Sequence, residues 1–263
     1  MSEENFIVEE HDSICTITIN RSDKRNSFTI VMWKEFTEIM NALNQKEHIR
    51  TVIVKGAGDK AFCSGIDMVE LASEGKSITD PTSWEGIGIE KAMKSITEFR
   101  YPVIAMVNGY AIAGGCELAL HCDILIAADT ARFAMPLAKI GLLVPFPLAQ
   151  RLVNSVGITN ARDMLFTGRM VPAAEAKQMG MVNEVTPLPE LEARVQTIAE
   201  EIAGNAPLSL EGMKKTLTRC FAYEKDIEYE DLRQHLARCL TSEDLMEGLM
   251  AFRQRRKPEF KGK

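Results

Sequence analysis

One pattern occurs twice in this chain and constrains its fold more than any other: a buried strand runs through a glycine-rich loop into a helix. In the second copy, the apolar run Val103–Val107 predicts a buried strand and Asn108-Gly109 a turn, while Gly114-Gly115 allow a tight bend into a new helix. The first copy is a strand predicted at 51–55, followed by a loop and helix at 56–71. Strands that alternate with helices in this way predict an α/β fold.

Glu117 is the ionisable residue that this pattern places just inside the second helix. The first turn of a helix presents unpaired N–H groups, which can hold a developing oxyanion, and a carboxylate one turn further along can move a proton beside it. The helix dipole alone also favours a glutamate at this place. This stretch by itself therefore leaves both a catalytic and a structural interpretation open.

Both copies contain motifs of a known superfamily. The first reads GAGDKAFCSGID at 56–67 and the second NGYAIAGGCEL at 108–118, and together they resemble the crotonase, or enoyl-CoA hydratase/isomerase, superfamily. The resemblance continues in ITINRSDKRNSF at 17–28, FTGRMVPAAEAKQMGMVNEV at 166–185 and FRQRRKPEF at 252–260. It implies a spiral of ββα units followed by an α-helical C-terminal lobe that forms a homotrimer or homohexamer.

The resemblance also implies an enzyme that acts on an acyl-CoA thioester, with coenzyme A as part of the substrate and no prosthetic group. The implied oxyanion donors are the backbone N–H groups of Ile66 and Gly114, and the implied acid and base is Glu117. Hydratases of this superfamily use a second glutamate in a later segment. That segment here reads FAMPLAKIG, and Leu137 occupies the position of the second glutamate.

Leu137 leaves the reaction type open because leucine can neither donate nor accept a proton. Hydration of a 2-enoyl-CoA by Glu117 alone is the leading hypothesis. Decarboxylation is a second hypothesis, since VPF at 144–146 loosely resembles the VPY segment of methylmalonyl-CoA decarboxylases. A double-bond isomerase is a third, and a catalytically weak CoA-binding protein is a fourth.

The coenzyme-binding residues are likewise implied by the resemblance. They are a loop of Lys24, Arg25, Asn26 and Ser27, a second loop with Ala61, Ser64, Gly65 and Asp67, and Lys257 in the basic tail at 255–257. Helix capping explains Asp67 equally well, and a solvated tail explains Lys257 equally well. The acyl pocket should involve 68–92, where Trp84, Gly86 and Gly88 lie.

Composition limits the partners of the chain. Its net charge of −6 and pI near 5.4 argue against nucleic acid as a partner. The apolar region at 103–152 is interrupted by charged residues before ~20 apolar residues accumulate, so no membrane span is expected. No signal peptide or presequence is visible, so we expect a cytoplasmic protein.

The six cysteines have no CxxC spacing, which favours reduced thiols, and we expect no metal site. The adjacent His121, Cys122 and Asp123 would point in different directions. With 263 residues and 46% hydrophobic content, the chain can bury a large core.

The strand pattern stops after Pro187, and 191–255 has helical periodicity with breaks at 204–207 and 221–225. We therefore predict an α/β core at 1–195 and a helical lobe at 196–263. Within the core, further strands are predicted at 14–19, 124–127 and 181–185, and a short helix between Pro172 and Gly180.

Overall fold

The computed structural model describes residues 4–73, 88–220, 234, 237–238 and 240–261. Its strands form two sheets. The six-stranded sheet contains, in spatial order, β1 (Phe6–His11), β2 (Ile14–Ile19), β3 (Thr51–Gly56), β5 (Val103–Val107), β7 (Ile124–Ala128) and β10 (Glu184–Thr186). The four-stranded sheet contains β4 (Ala61–Cys63), β6 (Tyr110–Ile112), β8 (Arg132–Ala134) and β9 (Val171–Pro172). The pairs β1–β2 and β8–β9 are antiparallel, and the other neighbours are parallel.

The described helices are α1 (Ile30–Asn44), α2 (Met68–Ser73), α3 (Ile89–Thr97), α4 (Gly114–His121), α5 (Phe146–Thr167), α6 (Ala173–Gln178), α7 (Leu191–Ala203), α8 (Pro207–Cys220) and α9 (Glu243–Gln254). Short 3-10 helices lie at Ser22–Lys24, Leu137–Ile140 and Leu188–Glu190. Gly157 has a non-helical backbone with φ 75° and ψ 159°, and it divides α5 into two helical segments. Within the described ranges, no helix combines the length and the apolar character needed to cross a membrane.

The chain spirals between the two sheets. Twice, at β3-β4-α2 and at β5-β6-α4, it places one strand in the six-stranded sheet and the next in the four-stranded sheet before it enters a helix. The strands β7 and β8 repeat the first two steps and lead through a 3-10 helix to α5. The predicted α/β fold with a spiral of ββα units is therefore confirmed.

The core lies between this spiral and the helices that cover it. All five residues of β5 are buried, as expected for a parallel strand covered on both faces. The buried residues of α1 include Met32, Phe36, Met40 and Leu43, which recur at three- and four-residue spacing. Phe28 packs between the aromatic rings of α1 and β1.

The predicted strands at 14–19, 51–55, 103–107 and 124–127 correspond to β2, β3, β5 and β7. The strand predicted at 181–185 was placed too early, because β10 begins at Glu184. The preceding helix α6 closes through a hydrogen bond from Met181 N–H to Ala176 O (2.9 Å), and Gly180 has a φ of 87°. The chain therefore needs the residues that follow Gly180 to turn back to the sheet.

The helix α7 belongs to the packing of the core. Its buried residues are Leu191, Val195, Ala199 and Ile202, and it lies against β3, β5 and β7. The boundary predicted between residues 195 and 196 lies inside this helix. We therefore propose that the C-terminal lobe begins after Ala203, while the break predicted at 221–225 lies outside the described residues.

A partly buried ion pair joins α8 to the core. Lys214, which is 6% exposed, donates to Ile96 O (3.0 Å), to Tyr101 O (2.9 Å) and to Asp123 Oδ2 (2.7 Å). Asp123 Oδ2 also accepts from Val103 N–H at 2.8 Å. This network connects α8 with the end of α3 and the start of β5.

Candidate active site

The first glycine loop leaves one backbone N–H unpaired. Gly65 has a φ of 87°, and its carbonyl accepts from Phe28 N–H at 2.8 Å, while Asp67 N–H donates to Phe28 O at 2.8 Å. In such a parallel bridge the hydrogen bonds use the residues on either side of Ile66. The Ile66 N–H therefore has no backbone partner among the described residues.

The second glycine loop enters α4 through a strained residue. Ala113 has a φ of 49° and a ψ of −118°, which is rare for a residue with a side chain, and such a conformation costs of order 1–3 kcal/mol. Its N–H donates to Ala134 O (2.9 Å) at the end of β8. Gly114 follows as the first residue of α4, so its N–H lacks an intrahelical acceptor.

The two loops touch each other at their glycines. A Cβ atom built on Gly65 would lie 3.0 Å from Gly114 N, and one built on Gly114 would lie 3.4 Å from Gly65 Cα. A Cβ on Gly115 would lie only 1.9 Å from Cys63 O. Glycine is needed at positions 65 and 115 because the backbones approach too closely for a side chain. The predicted donors Ile66 and Gly114 are thereby brought to neighbouring places.

Glu117 lies one turn after Gly114 on α4 and is 1% exposed. Among the described residues, neither of its carboxyl oxygens has a hydrogen-bond partner. Burial raises the pKa of Glu117 well above its ordinary value of 4.5, while the positive charge of Arg151 opposes that rise. A buried, unpartnered carboxyl group is costly for stability, which favours a functional interpretation.

Two basic side chains lie at the C-terminal end of α4. They are His121, the last residue of this helix, and Arg151, which comes from α5. His121 Nδ1 is 2.8 Å from Glu117 O and 3.8 Å from Glu117 Oε2. Arg151 donates to Leu120 O (2.7 Å) and Cys122 O (3.3 Å), and it thus satisfies carbonyls at the helix end. Sequence reasoning missed the pair of His121 and Glu117, although their four-residue spacing on a helix could have indicated it.

Leu137 begins the 3-10 helix that follows β8. It is partly buried and packs against the main core and against a small cluster of Leu142, Leu240 and Leu245. The helix α9 lies against this segment, and a Cβ on Gly248 would come within 2.7 Å of Ile140 C. An apolar residue at 137 therefore fits its packing.

Trp33 is a second residue that sequence reasoning missed. It is 0% exposed, its Nε1 has no hydrogen-bond partner among the described residues, and its Cζ2 lies 3.3 Å from the position of a Cβ on Gly114. The indole packs against Phe28 with ring centroids 4.4 Å apart. The sequence did not single it out, and only the fold brings it to the start of α4.

The two loops assigned to coenzyme binding are joined by hydrogen bonds. Asn26 is 0% exposed, and its Nδ2 donates to Ala57 O (3.0 Å) and Ala61 O (2.6 Å). Ser64 N–H donates to Arg25 O at 3.2 Å. Arg25 and Asn26 both adopt left-handed backbone conformations, with φ values of 54° and 56°. Asn26 thus acts as an internal brace of the loop.

Arg21, which the sequence did not single out, holds the same region together. Its guanidinium donates to Ser27 O (3.1 Å), Ser27 Oγ (3.2 Å) and Asp67 Oδ2 (2.7 Å). Asp67 Oδ1 accepts from the N–H groups of Val69 (3.0 Å) and Glu70 (3.1 Å). Partial burial raises the pKa of Asp67, but the hydrogen bonds from Glu70 N–H and Arg21 outweigh it and lower the pKa. Asp67 therefore caps α2 and pairs with Arg21.

The side chains of Lys24 and Arg25 are exposed on this braced loop. Lys257 is also exposed, and no hydrogen bond or ion pair in the described part of the chain connects its side chain to the loop. The neighbouring Arg256 instead pairs with Glu247. The structure thus brings the predicted loop residues together, and within the described residues Lys257 makes no hydrogen bond or ion pair with them.

Part of the predicted acyl pocket lies outside the described residues, including Trp84 and Gly86. Gly88 precedes α3 with a φ of 90°. Among the residues that are described, no three His, Cys, Asp or Glu side chains cluster as a metal site. The described cysteines are free, and all except Cys220 are buried.

Comparison with known proteins places this geometry in a family. The model of the family Enoyl-CoA hydratase/isomerase matches residues 9–263. The short-chain-enoyl-CoA hydratase of Clostridium acetobutylicum is 32% identical over 259 residues, which cover 97% of each chain.

Solved structures are similar over the same length. A structure of a Magnetospirillum magneticum enoyl-CoA hydratase/carnitine racemase is 30% identical and has a TM-score of 0.79, covering 100% of this chain and 97% of the other. A methylmalonyl-CoA decarboxylase in complex with 2-nitronate-propionyl-CoA is 27% identical and has a TM-score of 0.90, covering 99% of each chain.

Proposed function

Because the chain belongs to the enoyl-CoA hydratase/isomerase family, we propose that it adds water to the double bond of a 2-enoyl-CoA thioester. The observation that carries this proposal is Glu117. In the part of the chain that the structure describes, it is a fully buried carboxyl group without a hydrogen-bond partner, one helical turn from the Gly114 N–H, which has no intrahelical acceptor. A group of this kind is suited to exchange a proton with a bound substrate.

The Ile66 and Gly114 N–H groups are the proposed oxyanion hole. Both would donate to the thioester oxygen, which gains negative charge as the substrate passes through an enolate. Each such donor contributes on the order of 3 kcal/mol to the transition state. The contact between Gly65 and Gly114 supports this role because it keeps the two donors close together.

Glu117 is the proposed acid and base. As a carboxylate it takes a proton from water while the water oxygen bonds to Cβ, and as a carboxylic acid it gives that proton to Cα. No net proton is exchanged with solvent, so one carboxyl group can complete the cycle. The raised pKa supports this use, because catalysis is most efficient when the pKa of the group lies near the working pH. Leu137 leaves the water without a second carboxylate, so we expect slower turnover than a pair of glutamates would give.

The loop at 24–27, which the hydrogen bonds of Asn26 and Arg21 hold in place, is part of the proposed coenzyme site. The exposed Lys24 and Arg25 carry positive charge for the phosphates, and Asn26, Ser27 and Asp67 support the loop that presents them. The backbone of Ala61, Ser64 and Gly65 forms the other side, and we also propose that Lys257 contributes from the tail. Exposed apolar side chains on α8, namely Leu208, Met213 and Leu217, support assembly as a homotrimer or homohexamer.

Decarboxylation of a malonyl-type thioester is the second candidate. The TM-score of 0.90 to a methylmalonyl-CoA decarboxylase favours it, as does the leucine at 137. In that reaction carbon dioxide leaves from Cα, the oxyanion hole stabilises the enolate, and Glu117 as an acid protonates Cα. Each turnover then consumes one proton from solvent.

The deciding experiment incubates pure protein with crotonyl-CoA and with methylmalonyl-CoA, and follows the products by mass. We expect crotonyl-CoA to gain one water, and Glu117→Gln to lose at least 100-fold in kcat while it still binds the thioester. Loss of carbon dioxide from methylmalonyl-CoA without hydration would replace the first candidate with the second. Near wild-type turnover by Glu117→Gln would refute its role in both.

A further inference from the structure

We propose that His121 is the positioning residue of Glu117, because its Nδ1–H is shared between the Glu117 main-chain oxygen and the ionised carboxylate. This inference rests on the proposed role of Glu117 as acid and base. His121 would act from behind the reacting atoms and would not touch the substrate.

The geometry singles out His121 for this task. Nδ1 lies 2.8 Å from Glu117 O and 3.8 Å from Glu117 Oε2. In the described part of the chain, His121 is the basic side chain that comes within 4 Å of this carboxyl group. Because a carbonyl oxygen can only accept, the proton of the neutral ring is assigned to Nδ1. That N–H is the donor available to a carboxylate that otherwise has none.

The ring is neutral where the enzyme is expected to work. Burial, together with the positive charge of Arg151, lowers the pKa of His121 to about 4, although the hydrogen bond to Glu117 O opposes this. A neutral imidazole has a single N–H, and this N–H can donate either to Glu117 O or to the Glu117 carboxylate. When Glu117 is protonated, the main-chain oxygen is the better acceptor. When Glu117 is ionised, a shift of about 1 Å would give a charge-assisted hydrogen bond to Oε2, which is roughly twice as strong as a neutral one.

His121 also lines a pocket of about 370 Å³ between α3, α4 and α5. The charged side chains around this pocket are Glu90 and Lys94 from α3, Asp123 after α4, and Arg151 from α5. None of these four makes an ion pair with His121. The ring therefore lies between the buried carboxyl group and an open pocket, and its hydrogen bond is the one to Glu117 O.

The test uses three variants of the full-length protein. His121→Met removes the N–H and keeps an apolar side chain of similar size. His121→Asn places an amide N–H where Nδ1 lies, so it should restore the contact. His121→Gln places its amide near Nε2, so it should not. Each is titrated by infrared spectroscopy of the Glu117 carboxyl band, taken as the difference from a matched Glu117→Gln protein, and each is assayed with crotonyl-CoA across pH.

We expect the ionisation midpoint of Glu117 in the free protein to rise by about one pH unit in the Met and Gln variants and to stay within about 0.3 units in the Asn variant. Because hydration needs the carboxylate, the pH at half-maximal kcat/KM should rise with it. At a pH below both midpoints kcat should fall about tenfold with KM within twofold, since His121 does not contact substrate.

An unchanged Glu117 midpoint in His121→Met, or an Asn variant that behaves like the Met variant, would overturn the proposal. The infrared titration needs no substrate. If the wild-type protein hydrates no thioester, the proposed function fails. The titration then still decides whether His121 stabilises the ionised carboxylate of Glu117. The pH dependence of activity also distinguishes the two candidate reactions. A decarboxylase that uses Glu117 as an acid would keep its activity to higher pH in His121→Met.

Discussion

Replacement of Gly65 by alanine tests whether catalysis requires the Ile66 and Gly114 N–H groups to lie close together. A Cβ at Gly65 would lie 3.0 Å from both Gly114 N and Ile112 O, and the backbone φ is 87°. An alanine in the left-handed region costs roughly 1–2 kcal/mol. Relief of the two contacts requires the loop or the start of α4 to move by a few tenths of an ångström, at a further cost of roughly 1–3 kcal/mol.

Gly65→Ala should lower both kcat and stability. Because the shift separates the Ile66 and Gly114 N–H groups, kcat should fall by about 100-fold or more, the loss typical of one oxyanion donor. Stability should fall by about 2–5 kcal/mol in total, which corresponds to a Tm lower by roughly 4–20 °C for a chain of this size. The assays are hydration of crotonyl-CoA and thermal unfolding of the same samples.

Gly180→Ala is the matched control. Gly180 has the same φ of 87°, but its Cβ would meet only Ser155 O, at 3.3 Å. It should therefore lose about 1–2 kcal/mol of stability and retain wild-type kcat. If Gly65→Ala and Gly180→Ala retain equal activity, the argument that Gly65 aligns two catalytic donors is wrong.

Two further predictions concern buried charges. Since Glu117 has a raised folded-state pKa, its contribution to stability is present below its ordinary pKa of 4.5 and is lost as pH rises through the folded value. Glu117→Gln should therefore match the wild type in urea unfolding near pH 4 and be more stable at pH 8; a difference that does not change with pH would contradict this. Lys214→Met should lose about 1–3 kcal/mol because it removes one buried donor from Ile96 O, Tyr101 O and the partly exposed Asp123 carboxylate. Lys215→Met, which breaks an exposed pair with Glu211, should lose less than about 0.5 kcal/mol in the same urea titration, and equal losses would refute the argument.

The sequence by itself was enough for the fold class, the main strands and the two glycine loops. These depend on local patterns: β-branched runs form strands, and glycine permits the tight turns that join them to helices. The sequence also indicated Glu117, because its distance from Gly114 is a property of one helix. The shorter strands β4, β6 and β8 have three residues each and too little periodicity to be predicted.

Only the tertiary structure decided how distant residues meet. It placed Gly65 against Gly114, brought the indole of Trp33 to the start of α4, and used Arg21 to join Ser27 and Asp67. No local pattern encodes these contacts, because each joins residues that are far apart in the chain. The burial of Glu117 is also a tertiary effect. The pKa of Glu117 is raised because surrounding elements exclude water from the carboxyl group, and the residues next to it in sequence do not determine this.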